Sequence, residues 1–215
     1  MNQINIRHAE KLPPIVFVID DDTSMRTALS NLIRSVGLRV EVFASAPDFL
    51  ATKRTDGPSC LILDVRLPGV SGLEFQAELA NANSVIPIIF ITGHGDVPMS
   101  VKAMKGGAVE FLTKPFRDQD LLDAVHVALE RSKSTQESEK AVVDLRAKFD
   151  ALTHREKEVM EWVTGGLPNK QVAAELGVTE ITIKVHRGNV MRKMEAKSLA
   201  DLVRMADTLA VRRRK

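Results

Sequence analysis

Four apolar runs in the first half of the chain each lead into a polar residue, and this pattern constrains the fold most. The runs cover residues 15–19, 60–63, 88–91 and 108–113, and the polar residues that follow them are Asp20, Asp64, Thr92 and Lys114. Continuous apolar runs are typical of strands that helices cover on both faces. Because amphipathic stretches separate the runs, the sequence predicts repeated βα units around a parallel sheet.

The predicted sheet has five strands and is doubly wound. The strands are expected around residues 15–19, 39–43, 60–64, 88–91 and 108–112. The first helix is indicated by apolar residues at helical spacing from Met25 to Val36, with Asp22 as its expected N-cap and Gly37 as its stop.

The polar residues after the strands predict a site for a metal ion and a phosphoryl group. Ligands of an open parallel sheet lie beyond the C-terminal ends of its strands. The residues expected together at that edge are Asp20, Asp21, Asp64, Thr92 and Lys114. Several carboxylates repel one another unless a cation lies among them, and Mg²⁺ prefers oxygen ligands. An alternative for the acids at residues 20–22 is a helix start, where acidic side chains favour the helix dipole.

The length of 215 residues favours two domains, and the two parts of the chain differ in charge. Residues 1–150 hold 17 basic and 20 acidic side chains, whereas residues 151–215 hold 13 basic and 8 acidic ones. Tyr is absent, which argues against stacking of single-stranded bases, so duplex DNA is the expected partner of the basic part. A single cysteine, Cys60, excludes an internal disulfide, and no apolar run has membrane-spanning length. We therefore expect a cytoplasmic protein with no membrane partner.

Residues 131–148 are expected to link the two domains as part of a long helix. The chain contains neither Gly nor Pro from residue 116 to residue 164, and apolar residues flank the polar middle on both sides. A disordered tether is the alternative, because a segment rich in Ser, Gln and Glu has little to bury.

Short helices are predicted over residues 149–215. Thr153 and Glu156 match a capping box that begins the first of them. A second helix is expected to stop at Gly177, and Thr179 opens a third that ends near Met194. The turn between these two helices spans only Leu176-Gly177-Val178-Thr179. Two helices joined by such a tight turn form a helix-turn-helix, so the second domain is predicted to be all-α.

Four motifs in the first domain, which we assign to residues 12–130, resemble the receiver domain of two-component response regulators. The motifs are Val18-Ile19-Asp20-Asp21-Asp22, Leu63-Asp64-Val65-Arg66-Leu67-Pro68-Gly69, Ile91-Thr92-Gly93-His94-Gly95-Asp96 and Lys114-Pro115-Phe116. The resemblance implies a flavodoxin-like fold, a cis bond before Pro115 and Mg²⁺ as cofactor. It also implies roles for individual residues. Asp64 is the phosphoacceptor; Asp21, Asp64 and the backbone carbonyl of Arg66 bind Mg²⁺ directly, and Asp20 binds it mostly through water. Lys114 is the phosphoryl-binding cation, and Thr92 and Phe111 form the switch.

The second domain, residues 149–215, resembles the LuxR-type helix-turn-helix output. The matching motifs are Leu152-Thr153-His154-Arg155-Glu156-Lys157-Glu158-Val159, Gly166-Leu167-Pro168-Asn169-Lys170-Gln171-Val172-Ala173 and Val178-Thr179-Glu180-Ile181-Thr182-Ile183-Lys184-Val185-His186-Arg187. The stretch from Thr92 to Met99 narrows the likeness to the FixJ branch of the FixJ/NarL family. By position, the resemblance implies DNA contacts by Lys170, Thr182, Lys184, Val185, Arg187, Arg192 and Lys193.

Gly188 departs from expectation, because a glycine inside a helix costs about 1 kcal/mol relative to alanine. Two explanations are open. The helix backbone could approach DNA closely at this point, or the protein could ignore that position of its operator.

Together the two resemblances imply a response regulator that a sensor histidine kinase phosphorylates on Asp64. Phosphorylation is expected to change the face around residues 97–112, to produce a homodimer and to direct binding of operator DNA, with RNA polymerase as a further partner. The protein is not expected to be an enzyme, apart from autodephosphorylation. One alternative is an aspartyl-nucleophile phosphohydrolase, although that class usually has a second acid where this chain has Arg66. The other is a DNA-binding regulator that does not depend on phosphorylation.

Overall fold

A computed structural model describes residues 12–52, 57–82 and 84–212. The chain divides into two compact units, the first ending at Gln136 and the second beginning at Glu137. Within the described ranges, no helix is both long and apolar enough to cross a membrane.

The first unit is built on a five-stranded parallel sheet in the order β2-β1-β3-β4-β5. The strands are β1 (Ile15–Ile19), β2 (Arg39–Phe43), β3 (Ser59–Asp64), β4 (Ile88–Thr92) and β5 (Glu110–Thr113). The doubly wound sheet predicted from the apolar runs is therefore confirmed, with the flavodoxin-like strand order that the resemblance implies. Because all strands run the same way, their C-terminal ends share one edge of the sheet.

Helices cover both faces of this sheet. They are α1 (Thr23–Ser35), α2 (Ala46–Ala51), α3 (Gly72–Asn81), α4 (Val97–Lys105) and the first part of α5 (Asp118–Asp150). Successive side chains of a strand point to opposite faces, so Phe17 packs in the core with α2, α3 and α4, while Val16 and Val18 pack with α1 and α5. Burial on both faces explains why β1 is apolar throughout and β4 is apolar up to its last residue, Thr92.

The ends of α1 agree with the sequence, whereas the start of β5 does not. Asp22 caps α1, since its carboxylate accepts hydrogen bonds from the backbone N–H groups of Ser24 and Met25, and Gly37 takes a left-handed φ of +78° after the last turn. The fifth strand was expected from residue 108 but begins at residue 110. The amide of Ala108 instead donates to the carbonyl of Ala103 and closes the end of α4.

The second unit is all-α, as predicted. It contains the end of α5, then α6 (His154–Thr164), α7 (Asn169–Leu176), α8 (Glu180–Lys193) and α9 (Leu199–Thr208). Residues 131–148 lie inside α5, so this segment is helical rather than a tether. Gly177 has a left-handed φ of +64° and ends α7, which produces the tight turn before α8.

Candidate functional site

Side chains at the C-terminal ends of β1, β3 and β5 meet at one edge of the sheet. The Lys114 ammonium lies 2.8 Å from Oδ2 of Asp20 and 2.7 Å from Oδ2 of Asp64. Asp20 and Asp64 are both buried. The topology thus brings residues separated by 94 positions in the sequence into one hydrogen-bonded cluster.

A third carboxylate joins this cluster and gives it the composition of a cation site. Oxygen atoms of Asp20, Asp21 and Asp64 all lie within 4.8 Å of one another. Three carboxylates against one ammonium leave an excess of negative charge. A hard divalent cation such as Mg²⁺ fits this donor set, because it prefers oxygen ligands and balances that charge.

The pKa values of the buried partners reflect this crowding. Burial raises the pKa of the Asp20 carboxyl above its usual value, although a hydrogen bond from Lys114 acts in the opposite direction. Burial also tends to lower the pKa of Lys114, but its hydrogen bonds with Asp20 and Asp64 raise it by more. Lys114 is therefore firmly protonated beside the two carboxylates.

The carboxylate of Asp64 is held in a fixed orientation by its surroundings. Its Oδ1 accepts a hydrogen bond of 2.9 Å from the backbone N–H of Arg66, while Oδ2 accepts from Lys114. The N-terminus of α3 packs closely behind it: a Cβ on Gly72 would lie 2.4 Å from the carbonyl oxygen of Asp64. Only glycine fits there, so the end of β3 and the start of α3 form one rigid support.

The expected switch residues lie on the neighbouring strands. Thr92, at the end of β4, is fully buried, and its hydroxyl accepts a hydrogen bond of 3.2 Å from the backbone N–H of His94. The Phe111 ring is half-buried and tilted against Phe90, with 6.3 Å between the ring centroids. Phe111 therefore has both a core contact and an exposed edge. The bond between Lys114 and Pro115 is cis, as the resemblance implies.

Arg26 takes part in the site, although sequence reasoning did not single it out. Its Nη1 donates to the carbonyl oxygens of Asp20 at 2.7 Å and Asp21 at 2.9 Å, and its Nη2 donates to Oγ1 of Thr23 at 2.8 Å. The guanidinium thus fixes the backbone that carries two of the three clustered carboxylates. In the sequence, an arginine in the first turns of an amphipathic helix resembles any solvated charge, so the sequence offered no signal for this role.

In the second unit, α8 exposes two of the side chains for which the resemblance implies DNA contacts. Lys184 and Val185 are exposed, whereas Ile183 and Val190 are buried in the core. The Arg187 guanidinium lies 3.4 Å from the side-chain oxygen of Asn169 on α7. Other implied DNA contacts, Lys170, Thr182 and Arg192, are distributed over α7 and α8 with exposed or half-buried side chains.

Lys193 has an internal partner that the sequence did not reveal. Its ammonium lies 2.6 Å from Oε2 of Glu156, whose side chain is only 5% exposed. The same oxygen accepts a 2.8 Å hydrogen bond from the backbone N–H of Thr153, which completes the predicted capping box of α6. Burial tends to raise the pKa of Glu156, but the hydrogen bonds from Lys193 and Thr153 lower it below its usual value. This geometry favours a structural role for Lys193 over the expected DNA contact.

Comparison with protein families agrees with both halves of this description. Residues 16–126 match the response regulator receiver domain, and residues 150–206 match the luxR family of bacterial regulatory proteins. A receiver domain followed by a LuxR-type domain defines the class of DNA-binding response regulators. The chain belongs to this family and is a transcription regulator of the two-component type rather than a classical enzyme.

Individual relatives match along most of their length. The chain is 60% identical to nodulation protein W of Bradyrhizobium diazoefficiens, over 92% of this chain and 87% of that protein. It is 46% identical to the response regulator protein TmoT of Ectopseudomonas mendocina, over 96% and 94% of the two chains. The solved structure of the response regulator StyR is 48% identical, with a TM-score of 0.80 over 91% of this chain and 98% of StyR. Full-length FixJ is 40% identical, with a TM-score of 0.53 over 93% of this chain and 98% of FixJ.

Proposed function

We propose that Asp64 accepts a phosphoryl group from a cognate sensor histidine kinase, and that this modification controls DNA binding by the second domain. The observation that carries the proposal is the contact of Lys114 with Asp20 and Asp64 beside Asp21. We assign the working parts to residues 12–130 as receiver, 131–148 as helical linker and 149–215 as DNA-binding domain. These partners imply a cytoplasmic location.

In the proposed transfer, a carboxylate oxygen of Asp64 forms a bond to phosphorus while the bond from phosphorus to the kinase histidine breaks, and the bonding electrons return to that imidazole nitrogen. The Lys114 ammonium then donates to a phosphoryl oxygen instead of to Oδ2 of Asp64. Asp20, Asp21, Asp64 and the carbonyl of Arg66 would hold Mg²⁺, which supplies charge neutralisation at the phosphoryl oxygens. Water then attacks phosphorus, with Arg66 and His94 flanking the phosphoryl group. The bond between phosphorus and the Asp64 oxygen breaks, inorganic phosphate leaves, and the free carboxylate is restored.

This chain has a groove next to the site that is suitable for binding the kinase. A groove of about 460 Å³ lies between α1 and the loop after β5, and Lys114 forms part of its wall. Its floor is mostly apolar, with Ala28, Leu32 and Phe116 among the lining residues. We propose that it receives a helix of the kinase, because the groove leads directly to the cation that contacts Asp64.

The proposed switch connects the phosphoryl site to self-association. The Thr92 hydroxyl would leave the amide of His94 and turn to the new phosphoryl oxygens, and the Phe111 ring would move into the space released. The adjacent helix α4 exposes Val97, Val101 and Met104, which together form an apolar surface. This surface supports homodimer formation on phosphorylation.

The paired second domains would then bind a two-fold operator, with α8 as recognition helix in the major groove. The proposed contacts are Lys184, Val185 and Arg187 to base edges, and Lys170, Thr182 and Arg192 to phosphates. We do not include Lys193 among the proposed DNA contacts, because its ammonium pairs with Glu156. Control of RNA polymerase follows from operator occupancy.

The proposal is tested by incubating the full chain with acetyl phosphate and MgCl₂ and measuring its intact mass. Wild type should gain one phosphoryl group and form dimers in analytical ultracentrifugation, whereas Asp64→Asn should do neither. Asp22→Asn is the matched control, because Asp22 lies beside the cluster and asparagine is also a good helix cap. Phosphorylation or dimerisation of Asp64→Asn to the wild-type extent would refute the assignment.

A further inference from the structure

The recognition helix α8 carries two large apolar side chains that face solvent. Ile181 is 74% exposed and Val185 is 59% exposed. Residues four apart lie on the same face of a helix, so the two form one apolar stripe. Exposed β-branched residues contribute little burial and have slightly unfavourable helix propensity, so folding alone does not explain them.

Gly188 continues the same stripe, three residues after Val185 and seven after Ile181. Its backbone is not in the left-handed region, and a Cβ added to it would meet nothing within 4 Å among the described residues. Neither backbone conformation nor packing within the described chain therefore requires a glycine. An alanine at this position would favour the helix. Gly188 therefore lowers helix stability, and no contact within the described chain compensates for that loss. This points to a molecule that approaches the helix at this position.

The charges around the stripe indicate the nature of that molecule. Lys184 lies between the two apolar residues, and Arg187 and Arg192 follow on the same helix, whereas Glu180 at the first turn is the only acid of α8. A surface with this charge favours a polyanion. Duplex DNA offers one apolar group in its major groove, the 5-methyl group of thymine.

We propose that Ile181 and Val185 read thymine by contact with its 5-methyl group, and that Gly188 allows the DNA to come against the backbone of α8. This inference rests on the proposed role of α8 as recognition helix. It assigns base preference at two positions to apolar contact rather than to hydrogen bonds. Two explanations for Gly188 were open: close approach of the DNA, or an operator position that the protein ignores. The proposal selects close approach.

The test begins by selecting duplexes from a pool with random sequence, using the full chain treated with acetyl phosphate and MgCl₂. The most enriched duplex is then prepared with single thymines replaced by deoxyuridine, which removes only the methyl group. At two positions per half-site we expect about threefold weaker binding by wild type, the effect of one exposed methyl. Val185→Ala should lose discrimination at one of these positions, and Ile181→Ala at the other. Val143→Ala, which changes a 66% exposed valine on α5, should keep both.

Gly188→Ala provides the second measurement. It should raise the temperature at which Trp162 fluorescence reports unfolding, and yet weaken binding to the enriched duplex about tenfold, because the added methyl occupies space the DNA needs. Binding within twofold of wild type would refute close approach, and equal binding of thymine and deoxyuridine duplexes would refute methyl readout. If wild type enriches no sequence, the proposed DNA recognition itself fails and this inference fails with it.

Discussion

Each unit contains a lysine that contacts a buried carboxylate, but the two clusters differ in charge balance. Lys114 contacts both Asp20 and Asp64, with Asp21 close by. Lys193 contacts Glu156 alone. A cluster with surplus negative charge can take up a further cation, as the proposed phosphoryl transfer requires, whereas a balanced pair has no such capacity. Charge balance, rather than burial, separates the reactive site from the structural one.

The hydrogen bonds of the two clusters lead to the same distinction. Glu156 accepts from Lys193 and from the backbone of Thr153, and together these bonds lower its pKa despite burial. At Asp20 the effect of burial exceeds that of the hydrogen bonds, so the pKa of this carboxyl is raised. The ion pair in the second unit therefore favours an ionised Glu156, whereas the proposed phosphoryl site keeps a carboxylate whose ionised form a metal ion would further stabilise.

The largest expected effect concerns the surplus-charge cluster. Lys114→Met removes the only cation seen to contact the side-chain carboxylate of Asp20 or of Asp64 within the described residues, so phosphorylation by acetyl phosphate should slow about 100-fold. The rate is measured by intact mass against time. Mg²⁺ affinity, measured by calorimetry, should be at least as high as in wild type, because a competing positive charge is lost. Lys133→Met on α5 is the control, and a wild-type rate for Lys114→Met would contradict the comparison.

The balanced pair should behave in the opposite way. Lys193→Met leaves the nearly buried Glu156 without its cation, so the second unit should lose about 2 kcal/mol of unfolding free energy, a value reduced for the partial exposure of Lys193. Urea unfolding followed by Trp162 fluorescence reports this unit, since Trp162 is the single tryptophan and packs in its core. The phosphorylation rate of Asp64 should not change. Lys197→Met provides an exposed lysine for comparison, and equal stability of the two variants would make the Glu156 pair irrelevant.

Lys193 also shows why part of the site could not be predicted from the sequence. The four strand ends were predictable because a parallel sheet fixes which ends meet, and Asp20, Asp64 and Lys114 do meet. A lysine near the end of a helix gives no indication of what lies across from it. Its contact with Glu156 joins residues 37 positions apart through the packing of α6 on α8, and no local pattern encodes that packing.

Two further features depend on packing rather than on pattern. The start of β5 was expected two residues too early, because Ala108 and Val109 are apolar while the turn that closes α4 still includes Ala108. The role of Arg26 was missed because a helical arginine has the same sequence signature whether or not its guanidinium reaches back to a loop. By contrast, the Thr153 and Glu156 capping box is local, and both of its hydrogen bonds are present as predicted.

Arg26 gives the next test of the surplus-charge cluster. Arg26→Ala removes the hydrogen bonds to the carbonyls of Asp20 and Asp21, so the loop proposed to hold Mg²⁺ should loosen and Mg²⁺ affinity should fall about tenfold. The measurement is the Mg²⁺ concentration that gives half-maximal phosphorylation, together with calorimetry. At saturating Mg²⁺ the rate should approach that of wild type, which distinguishes a positioning residue from a catalytic one. Arg34→Ala, on the last turn of the same helix, is the control and should leave both the Mg²⁺ affinity and the rate unchanged. If the two variants required the same Mg²⁺ concentration, Arg26 would have no role in the site.

The smallest expected effect is the pH dependence of the balanced pair. The pKa of Glu156 lies below its usual value in the folded protein, so the stabilisation it gives is complete above the pKa of an unfolded glutamate, about 4.3. That stabilisation is lost as pH falls through the lower folded value. The Trp162 unfolding midpoint of wild type should therefore decline on acidification below about pH 5, and Glu156→Gln should show a shallower decline from a lower starting point. Parallel curves for the two proteins would mean that Glu156 does not titrate in this range, and that the contrast between the two lysine sites does not rest on a charged Glu156.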